Sequence, residues 1–487
     1  MKKGILFCIC FILLSCDDFL DREPVEQISI DQQLSTLEGH FDALNGAYTE
    51  FEELYSSLRF IYADALAGNV KFAPNNQGIQ SIDPRFEATY RFEEQESDSN
   101  FASFYVDSYQ IINAINLILS RIDAIDGAEA DKNLIKAQAL AMRAFLHADL
   151  LRVYTQPYNF TSNASHLGIV YNTEPLQIGE DFPSRLTVAE SYALVEADYL
   201  QAIDFFGNSS DNANQPEVFY FNELNTKALL SRVYLYMQQW DNSIRLSSQV
   251  IEEGPDLTPR NLLVSQWLDF NPISEALLEL GPPIDQNDGT VRSSVSTYFQ
   301  VITDSDDNII ENKRYSTSND LSSLYTNDDI RSTSGLLKTY FISTQTSSGT
   351  EELPFTFTQK FSDRDGAIVI RQSEMFLNRA EAFAKTGREN EALNDLNRIK
   401  LRANPDAELN SISGQDLIDE ILLERRRELA FEGHLFFDLK RNNKDIIRED
   451  GCTINLCRLD YPNPRFVLPI PESSILINQN MIQNEGY

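Results

Sequence analysis

Ala380-Glu-Ala-Phe383-Ala-Lys-Thr-Gly-Arg-Glu-Asn-Glu-Ala392-Leu-Asn-Asp-Leu396-Asn-Arg-Ile399 is the stretch that decides the fold. A small residue is followed by an aromatic three positions on and by a second small residue nine after that. Two further positions follow at plus four and plus seven. The same offsets occur 149 residues upstream at Ser231, Tyr234, Ser243, Ser247 and Val250. This is tetratricopeptide spacing, with small residues where two helices cross and an aromatic between them. Pro255 and Pro405 sit near the end of each second helix. The alternative is two unrelated helical hairpins sharing a generic pattern. The copies are scattered rather than tandem, so insertions must separate them.

Outward from these copies, helices dominate. Leu34, Leu37, Phe41, Leu44, Tyr48, Phe51 and Tyr55 recur at spacings of three and four, one apolar face of a long helix. Phe101, Phe104, Ile111, Ile115, Leu119 and Ile122 mark another. A third covers 133–154, where Ala137, Ala141, Ala144 and Ala148 allow close helix approach. Thr187-Val-Ala-Glu190 is a capping box opening a helix to about 206, and Ser413-Gly-Gln-Asp416 is a weaker one. The helices at 133–154 and 187–206 are candidates for further repeat helices. Residues 60–100 lack clean periodicity and read as a long loop region, a place where function concentrates. Residues 255–365 are rich in Ser, Thr, Asp and Asn, with Phe355-Thr-Phe357 and Ala367–Ile370 as short strand signals.

The chain of 487 residues carries 40 Lys and Arg against 74 Asp and Glu, a net charge of -34. That balance argues against nucleic-acid binding and polybasic membrane attachment. Lys2 and Lys3 precede an apolar run from Gly4 to Leu14, too short for a spanning helix of about 20 residues. The run ends Leu13-Leu14-Ser15-Cys16, which looks like a bacterial lipobox, with cleavage before Cys16 and a lipid on its thiol. An ordinary secretory signal is the alternative. Losing Lys2 and Lys3 makes the processed chain two charges more negative. Cys8 and Cys10 leave with the leader, so Cys452 and Cys457 remain. In an oxidising compartment such a pair tends to form a disulfide. A metal site is the alternative, but without a nearby His the ligand set is poor.

Catalytic signatures are missing. The four histidines, His40, His147, His166 and His434, form no HExxH pair, and no nucleophile elbow, P-loop or dinucleotide glycine pattern occurs. Asp304-Ser-Asp306-Asp-Asn308 starts like a calcium loop but has Ile309 at the required Gly and Tyr315 at the bidentate Glu position. No metal or cofactor is therefore expected. Aromatics make up 11% of the chain. Sugars offer flat C–H faces to rings and hydroxyls to amides. Phe72, Tyr90 and Phe92 beside Asn69, Asn75 and Asn76, and Trp267, Tyr298 and Tyr325 in the insertion, are therefore candidate ligand contacts. For each, a plain core role is the alternative.

Several stretches together resemble the SusD/RagB family of Bacteroidota outer-membrane lipoproteins. They are Cys16-Asp-Asp-Phe-Leu-Asp21 with Pro24, Tyr109-Gln-Ile-Ile112 leading to Asn116, and Ala141-Met-Arg-Ala144. Next come Glu424-Arg-Arg-Arg-Glu-Leu-Ala-Phe-Glu-Gly-His434 with Phe437-Asp-Leu-Lys-Arg441, and Leu468-Pro-Ile-Pro471 with Asn478, Gln483, Asn484, Gly486 and Tyr487. They run in the family's order across the processed chain. The resemblance implies a mainly α fold, a tetratricopeptide-like helical-repeat scaffold with a large loop-rich insertion holding a few short strands. It implies a non-catalytic, lipid-anchored protein on the outer face of the outer membrane. Such a protein binds oligosaccharide and delivers it to a SusC-like TonB-dependent outer-membrane transporter. Tyr90 and Phe92 match the place of the family's pocket aromatics, though the Trp common there is absent. Asp17 and Asp18 resemble a surface-export signal. A peptide-binding member, a surface glycoside hydrolase and a ligand-free scaffold are the rival readings.

The expected organisation is a signal at 1–15, a lipidated tether at 16–33, a helical region at 34–254, the insertion at 255–365, and a C-terminal region at 366–487 with the last repeat. The strong negative charge further predicts weak binding of acidic glycans unless Arg or cations line the pocket.

Overall fold

The computed structural model describes residues 29–177, 179–210, 217–281, 294–306, 308–361, 366–452 and 456–487. The leader, Cys16, Asp17, Asp18 and the tether as far as 28 lie outside the described residues.

The main helices are α1 (Leu37–Tyr55), α2 (Leu58–Ala67), α3 (Ala102–Arg121), α4 (Glu129–Tyr154), α5 (Val188–Phe206), α6 (Glu223–Tyr236) and α7 (Trp240–Glu253). After the insertion come α8 (Gln372–Lys385), α9 (Glu389–Ala403), α10 (Gly414–Glu428) and α11 (Leu435–Arg441). The two segments of shared spacing are the hairpins α6–α7 and α8–α9. Glu223 to Gln372 and Trp240 to Glu389 are both 149 residues apart, so the hairpins match helix for helix. Although interrupted in sequence, they are neighbours in space, because α8 packs on α7. The array extends through α4, α5 and α6 on one side and α10 on the other. The small residues lie at the crossings: Ala380, Ala392, Ser231, Ser243 and Ser247 are all fully buried. Where Ser replaces Ala, the hydroxyls satisfy one another. Ser231 Oγ lies 2.6 Å from Ser247 Oγ, and Ser243 Oγ donates to the Ser231 carbonyl at 3.1 Å. A buried hydroxyl left without a partner would cost about 1–3 kcal/mol.

Several sequence expectations are adjusted. The helix expected from 34 starts at Leu37, capped by Thr36, and Leu34 belongs to the end of a separate turn, Ile30–Gln33. The third helix starts at Glu129, ahead of 133. At Thr187 and Glu190 both bonds of the capping box form, whereas Ser413 makes no cap bond and the Glu389 carboxylate accepts from Gly414 N instead. The stretch 60–100 is not one long loop. It holds most of α2, strand β1 (Val70–Phe72) and a short helix, Glu87–Arg91. Every residue of α2 from Arg59 to Ala67 is buried, so no polar face gives it a period to read.

The insertion and its flanks supply the other strands: β2 (Ala276–Leu280), β3 (Val301–Thr303), β4 (Ile309–Asn312), β5 (Tyr315–Thr317), β6 (Leu337–Thr346), β7 (Gly349–Thr358) and β8 (Ala367–Arg371). The largest sheet is antiparallel, in the order β1-β5-β7-β6. Strand β2 pairs with β8, β3 with β4, and two short strands, β9 (Ile446–Ile447) and β10 (Arg458–Leu459), pair near the C-terminus.

Buried ion pairs lock the insertion to the scaffold. Glu428 at the end of α10 accepts from Arg331 at 2.8 Å, Arg371 at 2.6 Å and Arg402. Glu275 meets Arg371 and Arg402, and Glu432 meets Lys360 and Arg371. Among the described residues no helix is long and apolar enough to cross a membrane.

Candidate functional site

The two ten-residue strands β6 and β7 form a hairpin whose side chains alternate between faces. Ile342, Phe355 and Phe357 are buried and pack with Ala73 in a small core of their own. That pins the register. Phe341, opposite Pro354, therefore points outward together with Thr339, Ser343 and Gln345, and its ring is 65% exposed.

Two neighbours turn this face into a groove. The 75–78 loop docks on the edge of β6, where Gln345 N donates to the Gly78 carbonyl at 2.8 Å. Gly78 has φ +75, and a Cβ there would lie 2.9 Å from the Ser343 carbonyl, so only glycine fits. The Asn75 carboxamide oxygen accepts from Gln77 N and Ile79 N and shapes the turn. On the other side stands the β3–β4 hairpin. Asp304 Oδ1 accepts from the amides of Asp306 and Asn308, so the calcium-like stretch acts as its turn. Asn312 ties β4 to the Pro74 carbonyl at 3.0 Å, and Ile310 presents a side chain that is 68% exposed.

The groove encloses about 840 Å³. Among the described residues, the side-chain amides of Asn76, Gln77 and Gln345 have no hydrogen-bond partner. Each amide offers two donors and an acceptor. Half-buried Tyr340 lies under the Lys338 ammonium, 4.9 Å from its ring centre. Glu352 is bonded to Ser343, and Glu311 to Lys313 at 2.7 Å. Uncommitted amides in a groove with the exposed apolar side chains of Phe341 and Ile310 match the two faces of a sugar, its hydroxyls and its C–H surface.

The six aromatics singled out from sequence do not form this surface. Phe72, Tyr90, Phe92, Trp267 and Tyr298 are buried in the main core, and Tyr325 is only partly exposed. The structure brings three of them together, but as packing. Phe72 meets Tyr90 edge-on at 5.0 Å, and the Arg448 guanidinium lies over Tyr90 at 4.0 Å and Phe92 at 4.9 Å. Trp267 packs on Phe361 under Lys360 and Arg371. Tyr298 packs edge-on to Tyr315, and the Tyr325 hydroxyl donates to the Arg427 carbonyl at 2.9 Å. Asn69 bonds Asp64 in the interior. Asn75 and Asn76, by contrast, do border the groove. Phe341 and Gln345 escaped the sequence reading, although the outward period of two along 337–346 carries them, and so did Tyr340 on the opposite, inward face.

Cys452 and Cys457 are joined as a disulfide, with Cα atoms 5.7 Å apart, in the loop between β9 and β10. Arg448 in that loop donates to the Tyr90 carbonyl at 2.7 Å and so links the loop to the core beneath β1.

The strongly shifted titratable groups of the scaffold, Glu428, His147 and His434, lie outside the groove lining. Burial raises the pKa of Glu428, but Arg402, Arg371 and Arg331 more than offset it and hold the carboxyl well below the usual range. Burial keeps His147 and His434 neutral. Both are packed. His147 stacks on Tyr171 at 3.8 Å, and His434 lies in the scaffold beside Glu374. A second cavity of about 400 Å³ lies beside Phe160, Leu167, Pro462 and Pro464. Its Asn484 amide is consumed by the Tyr154 and Leu468 carbonyls, which leaves a mainly apolar lining.

Residues in the distinctive sequence stretches are structural. Asn116 bonds the carbonyls of Asn172 and Glu174, and Arg143 clamps Asp198 with two bonds of 2.7 Å while reaching Asn116. Asp64 accepts from Phe431 N and Gly433 N, both in the left-handed region. Gln483, Asn484 and Tyr487 bind the main chain at Ile470, Leu468 and Val467 and close the C-terminus onto the scaffold.

Two family profiles match the chain. One, described as the SusD family, covers residues 283–487, and one described as starch-binding associating with outer membrane covers 18–235. The chain is 36% identical over 125 residues to the starch-binding protein SusD of Bacteroides thetaiotaomicron, a match spanning 24% of this chain and 21% of that relative. It is 23% identical over 540 residues to SusD-like protein P38 of Formosa agariphila, which it covers end to end. A crystal structure of a SusD superfamily protein from Bacteroides thetaiotaomicron superposes with a TM-score of 0.77 at 26% identity, over 92% of this chain and 99% of that one.

Proposed function

This chain belongs to the SusD family, and on that premise we propose that it is a lipid-anchored, non-catalytic protein of the outer membrane that captures oligosaccharide at the cell surface. It hands its ligand to a SusC-like TonB-dependent transporter. The groove bounded by β6, β4 and the 75–78 loop is the capture site. One observation carries this reading: uncommitted amides at Asn76, Gln77 and Gln345 line the same groove as the exposed ring of Phe341. The relatives support it, since one is a starch-binding protein and one matching profile is described as associating with the outer membrane.

The mechanism is binding and presentation. A sugar ring stacks on Phe341, and its hydroxyls trade water for amide donors and acceptors. A lipid on Cys16 holds the loaded protein near the barrel mouth, which raises the effective concentration of ligand there. Because the groove stands on a scaffold tied by buried ion pairs, it is formed before ligand arrives. Little ordering cost is then charged against binding.

Calorimetric titration of the processed protein with a panel of oligosaccharides tests the capture step, with binding of at least one expected. Affinity purification from detergent-solubilised outer membranes tests the partner, and a large barrel protein is expected to co-purify. A Cys16→Ser chain that stays in the membrane fraction would refute the anchor. The edge position of β6 in its sheet supports a second reading, in which an extended peptide adds alongside it. Peptide binding with no glycan binding would favour that reading.

A further inference from the structure

We propose that the β6–β4 groove selects uncharged oligosaccharides and turns away those bearing carboxylate or sulfate groups. This rests on reading the groove as a carbohydrate site and names the class of carbohydrate.

The charged side chains among the described lining residues are Lys338, Glu311 and Glu352. No arginine is among them. A guanidinium is the group whose fork matches a carboxylate or sulfate with two parallel bonds. The ammonium of Lys338 lies over the Tyr340 ring and so already faces a partner. Glu352 and Glu311 each put a carboxylate on the groove wall, Glu311 paired with the Lys313 ammonium at 2.7 Å, and Asp304 stands at the adjoining turn. An anionic sugar would therefore enter a wall with more negative than positive groups, on a chain of net charge -34.

The free amides point the same way. A sugar hydroxyl donates and accepts, so it can serve both ends of a carboxamide. A carboxylate or sulfate only accepts. Placed among Asn76, Gln77 and Gln345, it would use the N–H groups and leave the amide oxygens facing other oxygens. The groove thus fits a ligand whose polar groups are all hydroxyls and ethers.

The test is calorimetric titration of the processed protein at 20 and 200 mM NaCl. One set of ligands comprises neutral gluco-, manno- and xylo-oligosaccharides. The other comprises oligogalacturonates, oligomannuronates and sulfated galactans of equal length. At least one neutral ligand is expected to bind, with every acidic one at least tenfold weaker, and the gap should narrow at the higher salt. An E311Q/E352Q variant is expected to narrow the gap at low salt. An acidic oligosaccharide that binds as tightly as the best neutral one would overturn the selectivity. So would a gap indifferent to both salt and the double substitution. Absence of binding in both sets would instead overturn the carbohydrate reading itself.

Discussion

Glu428 in α10 and Gln345 on β6 are both polar side chains, and their surroundings are opposite. Glu428 is buried and accepts from three arginines. The side chain of Gln345 is exposed and has no hydrogen-bond partner among the described residues. The same contrast separates the aromatics. Tyr90 is sealed beneath Arg448, while Phe341 faces water. One region has spent its polar groups on itself, and the other leaves them open to solvent, where the proposed ligand would meet them. Recognisable sequence therefore marks the scaffold, because interior networks tolerate few substitutions. The groove is built from residues that belong to no motif.

The sharpest way to break the contrast is Glu428→Ala. It removes the carboxylate that three buried guanidiniums share, leaving them only Asp329, Glu424, Glu275 and Glu432, and should cost roughly 3–5 kcal/mol in denaturant unfolding. Gln345→Ala should stay within about 0.5 kcal/mol of the parent in the same assay.

Next comes pH. Lys440 is buried and donates to the Arg152 carbonyl at 2.8 Å. Burial, then the Arg152 charge, push its pKa from 10.5 down to about 7. Between those values the unfolded chain holds the proton more firmly than the folded one. The contribution of this group to stability should therefore rise from about pH 7 to 10.5, and Lys440→Met should flatten the rise. Ligand affinity, measured alongside, should not follow this group.

Opening the Cys452–Cys457 bridge by Cys457→Ser should cost about 2 kcal/mol, the low end for disulfides because the loop is short. Thiol titration of the denatured, processed protein should find neither cysteine free. A smaller loss is expected for Thr187→Ala, which removes a cap at α5 and should cost about 1 kcal/mol.

These differences also explain what the sequence could reveal. Capping at Thr187 was legible because both partners lie within one turn. The matching hairpins were legible because the spacing of Ser231, Ser243, Ala380 and Ala392 encodes the packing itself. Their contact in space was not, since it depends on the insertion looping out. The helix α2 was hidden because burial on all sides removes periodicity. The site was hidden for a related reason. Composition shows that rings are present, but exposure depends on which face of a strand they occupy. The pairing of β6 with β7 and the small core at Ile342, Phe355 and Phe357 decide that. Asn75 and Asn76 reach the groove lining, while Asn69 and the rings chosen beside them turn inward.

The most direct test of a ligand site in the insertion is one paired measurement. Wild-type protein and Phe341→Ala are titrated with the tightest neutral oligosaccharide, and both are melted without ligand. The expected result is a dissociation constant about tenfold weaker, near 1.4 kcal/mol, with an unchanged melting temperature. An unchanged dissociation constant in a fully folded variant would contradict the account.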